Sequence, residues 1–137
     1  MAESEADLQV KVADYLRLQY PNVIFHSDYG SGIKLTMAQA VRQKRQNGGR
    51  RAWPDMFIAE PVRKNMAGAD TLGINCYGLF IELKKEGTRL HKKNGDYASE
   101  HIKEQAELLE KLRERGYAAE FACGFDEAKT IIDRYLK

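Results

Sequence analysis

The sequence predicts an α/β sandwich in which a small mixed β-sheet is flanked by helices. Three observations lead there. Helical periodicity and strand-like runs succeed one another in the order α-β-α-β-β-α-β-α. That order is not a regular βαβ repeat, which argues against a doubly wound sheet. The 137 residues, 43% hydrophobic and 31% charged, suit one domain around a core of moderate size.

The first element is a helix from about Ser4 to Gln19. Leu8, Val12, Tyr15 and Leu16 recur at helical spacing, Ser4 is placed to cap it, and Pro21 ends it. Val23 to His26 reads as a short strand, followed by a glycine-containing turn from Asp28 to Gly32. Thr36 caps a second helix that runs to about Gln46, where Asn47-Gly48-Gly49 stops it. Asp55 to Ala59 reads as a strand bounded by Pro54 and Pro61, and Tyr77 to Lys84 as a stronger, more apolar one. An amphipathic helix spans Ser99 to Arg115 and closes at Gly116. A strand from Tyr117 to Cys123 and a helix from Asp126 to Leu136 complete the single domain. Two long loops remain, Pro61 to Cys76 and the basic Glu86 to Ala98. Loops of that length in a compact domain are usually functional or mobile.

Several classes are excluded. No apolar run approaches the roughly 20 residues that span a bilayer. The acidic stretch from Met1 to Asp7 lacks the apolar segment of a signal peptide. Two cysteines, Cys76 and Cys123, are too few for a disulfide framework, and no Cys/His spacing suggests zinc. The expectation is a cytoplasmic protein with reduced thiols. The net charge of +2 hides a segregation. Between Asp28 and Asp55 there is no acidic residue, while Lys34, Arg42, Lys44, Arg45, Arg50 and Arg51 fall there. A second basic cluster comprises Lys84, Lys85, Arg89, His91, Lys92 and Lys93. Such tracts suit a polyanionic partner, because each phosphate contacted releases counterions. They are equally what a solvated basic face looks like.

The sharpest local signal is Glu82-Leu83-Lys84. Alternation along a strand sets Leu79, Ile81 and Leu83 on one face and Phe80, Glu82 and Lys84 on the other. A carboxylate and an ammonium are thereby fixed side by side. Phosphodiester hydrolysis uses both: the carboxylate for a hard divalent cation, the ammonium to orient water or offset charge on the phosphate. Alone, the pair is common strand decoration. Pro54-Asp55 adds to it, since proline holds Trp53 extended and starts a strand at a defined point. If that strand pairs with the Tyr77 strand, Asp55 nears Glu82, and two facing carboxylates call for a cation. At roughly 100° per residue, Glu5 lies on the stripe of Leu8, Val12 and Leu16. It therefore either sits at a wet helix end or points into a polar site. Gln105 falls amid Ile102, Ala106, Leu108, Leu109 and Leu112, which implies a specific hydrogen-bond partner.

These residues, in this order, resemble the PD-(D/E)xK nuclease superfamily and, more narrowly, the VRR-NUC (virus-type replication-repair nuclease) domain. The likeness runs through Glu5 with Gln9, Phe25-His26-Ser27-Asp28, and Leu35-Thr36 with Gln39-Ala40-Val41. It continues through Pro54-Asp55-Met56-Phe57-Ile58-Ala59-Glu60-Pro61 and Gly78-Leu79-Phe80-Ile81-Glu82-Leu83-Lys84, then Gln105 and Gly116-Tyr117. Each motif is loose, but the ordered set is specific and covers nearly the whole chain. The Pro61 to Cys76 insertion departs from the pattern.

The resemblance implies a restriction-endonuclease-like core and Mg²⁺ or Mn²⁺ as cofactor. It implies that Glu5, Asp55 and Glu82, with the Leu83 carbonyl, form the metal site. Lys84 would be the catalytic lysine and Gln105 the helix glutamine near it. Stand-alone relatives are similar to homodimeric enzymes that resolve four-way DNA junctions, and members occur in phages and prophages. The basic residues Lys34, Arg42, Lys44, Arg45, Arg50, Arg51, Lys85, Arg89, Lys92 and Lys93 would then contact DNA. An end-dependent exonuclease, a restriction-type nuclease and an inactive nucleic-acid-binding module are the alternatives. An inactive copy would usually have lost Asp55, Glu82 or Lys84, and all three are present.

Overall fold

The computed structural model describes residues 3–28, 34–63 and 76–137. Among them the elements follow the expected order: α1 (Glu5–Gln19), β1 (Phe25–Ser27), α2 (Met37–Gln46), β2 (Met56–Ile58), β3 (Leu79–Lys84), α3 (Glu100–Glu114), β4 (Ala118–Cys123) and α4 (Phe125–Leu136). The caps at Ser4 and Thr36 are those the sequence suggests, and α3 is capped in the same way by Ser99. Ser4 Oγ accepts from Asp7 N, Ser99 Oγ from Ile102 N, and Thr36 forms a reciprocal capping box with Gln39. β1 begins two residues later than expected, and β2 is trimmed at both ends, leaving Asp55 just before it. Most of the Asp28 to Gly32 turn and residues 64–75 of the Pro61 to Cys76 loop lie outside the described residues; a Val62–Cys76 bridge closes the base of that loop. The Glu86 to Ala98 segment, expected as a loop, contains a small hairpin. His91 bridges to Tyr97, and their rings lie 4.9 Å apart, tilted by 30°.

The sheet has the order β1-β2-β3-β4. The first two pairings are antiparallel, and β3-β4 is parallel, with α3 as the crossover. The alternation on β3 divides the interior in two. Leu79, Ile81 and Leu83 join Met56 and Ile58 against Leu8, Val12 and Leu16 of α1 and Ile131 and Ile132 of α4. On the opposite face Phe80 packs with Trp53, Tyr117 and Phe121 beneath Leu108, Leu109 and Leu112 of α3. α2 stands apart, with no buried residue. Cys76 and Cys123 are both free thiols. No helix among the described residues is long and apolar enough to cross a membrane.

Candidate active site

Register brings the two carboxylates together. Met56 pairs with Ile81, so one step further Asp55 stands opposite Glu82 and Pro54 opposite Leu83. The start of β2 is fixed from three sides. Asp28 N donates to the Asp55 carbonyl at 2.8 Å. Gln9, buried on α1, donates through Nε2 to the carbonyls of Asp28 (3.0 Å) and Asp55 (3.4 Å). Across the strand gap, Leu83 N donates to Asp55 Oδ2 at 2.8 Å.

Glu82 lies on the α3 face of β3, as the alternation requires, and is only 4% exposed. Gln105 reaches down from α3, and its Nε2 donates to Glu82 Oε1 at 2.6 Å. The Lys84 ammonium is 3.9 Å from the same oxygen and is also buried. Glu82 Oε2 and Gln105 Oε1 are buried oxygens with no N–H partner among the described residues. The neighbour of Glu82 is the Asp55 carboxyl group, and two carboxyl groups can pair only by sharing a proton. Burial and then the Asp55 charge push the Glu82 carboxyl up to about 9, against the opposing pull of Lys84, with Glu5 adding to the rise. This desolvated acid beside a like charge and a buried amine is the pattern of a functional centre.

A cleft of about 360 Å³ opens over these groups, and Glu5, Asp55, Glu82, Lys84 and Gln105 all line it. Glu5 contributes from the first turn of α1, at the rim and partly exposed. Among the described residues no set of three or more acidic, histidine or cysteine side chains is arranged to hold a metal ion. The donors present are instead two carboxylates, Asp55 and Glu82, on facing strands. Leu83 adds a main-chain oxygen, since in an extended strand the carbonyl points to the same edge as the N–H. All are hard oxygen donors. Magnesium often keeps several waters and takes only one or two carboxylates, so this set fits such an ion.

The basic residues separate. Arg51 lines the cleft, and Lys44 and Arg50 line a hollow that adjoins it through Gln43, Asn47 and Arg51. Arg42 and Arg45 lie along α2. Lys34, Arg89, Lys92 and Lys93 are exposed, the last two in the His91–Tyr97 hairpin. Lys85 is turned away, into a different hollow among Glu3, Glu86 and Asp126. Sequence reasoning did not assign Gln9, Asp28, Gln43, Asn47 or His101 to the site. Phase could have found two of them: Gln9 is four residues beyond Glu5, and His101 four before Gln105.

A search of solved structures finds this chain similar to a VRR_NUC domain protein. The two are 21% identical over 99% of this chain and 90% of that one, with a TM-score of 0.63, a likeness of fold. No family model matches the sequence, and no curated protein matches it.

Proposed function

We propose that the protein is a metal-dependent DNA endonuclease that hydrolyses phosphodiester bonds and acts as a homodimer on branched DNA, above all on four-way junctions. One observation carries the reading. Glu82 is buried against Asp55 and beside Lys84, with two buried oxygens there that no N–H among the described residues satisfies. Burying such a group is costly, and a divalent cation removes the cost. Asp55, Glu82 and the Leu83 carbonyl would hold Mg²⁺ or Mn²⁺, with Glu5 at the rim of the same cleft; such an ion would supply polarisation of the phosphate and a more acidic water. Lys84, fixed on the same strand face as Glu82, orients the attacking water and offsets the charge growing on the phosphate. Gln105 holds Glu82 by its Oε1. Arg51 at the cleft wall receives the backbone of the strand to be cut. One such site cuts one strand. A two-fold dimer carries two and matches the approximate two-fold symmetry of a four-way junction. The VRR_NUC fold supports this reading, as does the ordered motif set.

Cleavage of a labelled four-way junction beside linear duplex, with Mg²⁺, Ca²⁺ or chelator, tests it. Paired nicks in opposing strands are expected with Mg²⁺ only, from a species that sediments as a dimer. Glu82→Gln and Asp55→Asn should abolish cutting and retain DNA affinity. Full activity in chelator would refute metal dependence. A monomer that degrades linear duplex from its ends would make the protein an exonuclease.

A further inference from the structure

α2 has ten residues, below the roughly 12–15 at which an isolated helix becomes marginally stable in water. It buries none of them, so packing does not hold it. Its ends do. The Thr36–Gln39 capping box closes the start, and Gly48 and Gly49, both at positive φ, end it. Trp53 Nε1 donates to the Asn47 carbonyl at 3.4 Å and ties that end to the domain. The tethered end is the one beside the cleft, where Gln43 and Asn47 are wall residues. Turned outward are Met37 and Val41, 86% and 56% exposed and one turn apart. At roughly 100° per residue, Lys44 flanks that apolar stripe on one side and Arg45 and Arg42 on the other.

We infer that α2 is a duplex-reading helix that seats in the major groove of B-form DNA, with Met37 and Val41 toward the base edges and Lys44, Arg45 and Arg42 toward the phosphates. The inference rests on the nuclease reading above and adds the groove and the form of the duplex. Charge selects the occupant. From Asp28 to Asp55 the chain has no acid between, so a second α2 would set like charges against each other, whereas a phosphate backbone complements them. Shape agrees: a ten-residue helix is about 15 Å long, and the B-form major groove, about 12 Å wide, admits a helix. The A-form RNA groove is too deep and narrow.

The full-length Asp55→Asn protein, mixed with a 20-base-pair duplex in chelator, tests this by hydrogen exchange and fluorescence anisotropy. The α2 amides should gain protection with DNA and not with RNA of the same sequence. Met37→Ser with Val41→Ser should weaken DNA binding about tenfold with the salt slope unchanged. Arg42→Ser with Lys44→Ser should lower the slope by about 2. Because α2 buries nothing, both double variants should melt with the parent, which separates lost contacts from lost folding. Protection that rises with protein concentration alone would assign the surface to a second copy and overturn the inference. So would equal protection by RNA, or an apolar double variant that binds normally. A wild-type protein that cuts DNA while α2 stays unprotected would sink this inference and leave the nuclease. DNA-dependent protection without any cutting would do the reverse.

Discussion

Replacing Glu82 by glutamine should stabilise the metal-free protein while ending its activity. The amide keeps the shape and still offers an oxygen to Gln105 Nε2, which now donates to Glu82 Oε1 at 2.6 Å. What it removes is the ionisation of a buried acid. In the folded state this carboxyl is raised from 4.5 to about 9, by burial first and Asp55 second. A folded pKa above the unfolded one means that the native state holds the proton more tightly. The stability this contributes is complete below pH 4.5 and is lost progressively as pH rises toward 9. At 1.36 kcal/mol per unit, the loss between pH 5 and 7.5 is at most about 3 kcal/mol, with relaxation and water penetration reducing it. Urea unfolding in chelator, wild type beside Glu82→Gln, reads this directly. The two curves should lie close at pH 5, and the variant should pull ahead as pH rises. Millimolar Mg²⁺ should then restore the wild type at pH 7.5 and leave the variant unmoved. Parallel pH dependences in chelator would refute the reasoning, because Glu82 would then ionise as freely folded as unfolded.

Three further outcomes follow from other parts of the molecule. A Cβ at Gly78 would lie 2.6 Å from the Phe57 ring and 2.9 Å from the Ile58 carbonyl, so Gly78→Ala should cost about 1–3 kcal/mol in a thermal melt; an unchanged midpoint would mean that the sheet gives way there. Asp133 accepts from the hydroxyls of Tyr15 (2.5 Å) and Tyr20 (2.6 Å), which with nearby lysines hold its carboxyl down at about 2. That stability is present above pH 3.8 and lost as pH falls through 2, so Asp133→Asn should be less stable than wild type at pH 7 and should converge with it in acid titrations. Gln9→Leu would leave the Asp28 and Asp55 carbonyls without their α1 donor; we expect about 1–3 kcal/mol of destabilisation and slower cleavage per folded molecule, and full activity at normal stability would show that β2 holds its own position.

Legibility in the sequence followed periodicity. Leu79, Ile81 and Leu83 against Phe80, Glu82 and Lys84 is a period-two pattern, and the two cores divide along it. Gln105 was readable because a polar residue amid an apolar helical stripe demands a partner, and Glu82 is that partner. Pairing was harder to see. That β4 runs parallel to β3 depends on α3 folding back over the sheet, and no local signal encodes it. The basic residues were readable as charge and unreadable as place. Lys85 belongs to the same run as Lys84, yet it turns toward Glu86 and Asp126 because consecutive residues leave a strand on opposite sides. The hairpin of His91 and Tyr97 escaped notice because a two-residue bridge has no period.

Asp28 N and Ala59 N donate to the carbonyls of Asp55 and Ile24, so odd-numbered residues around β2 face β1 and even-numbered ones face β3. Pro54 therefore occupies a rung directed at Leu83, yet it has no N–H to give. The ladder between β2 and β3 stops there like a zipper whose next tooth is missing. Any other residue at 54 would bring a donor able to claim the Leu83 carbonyl and carry the pairing one step further. The open end of the sheet is thus enforced by subtraction: a single absent hydrogen keeps the protein from consuming, in its own folding, an oxygen on the strand edge that faces Asp55.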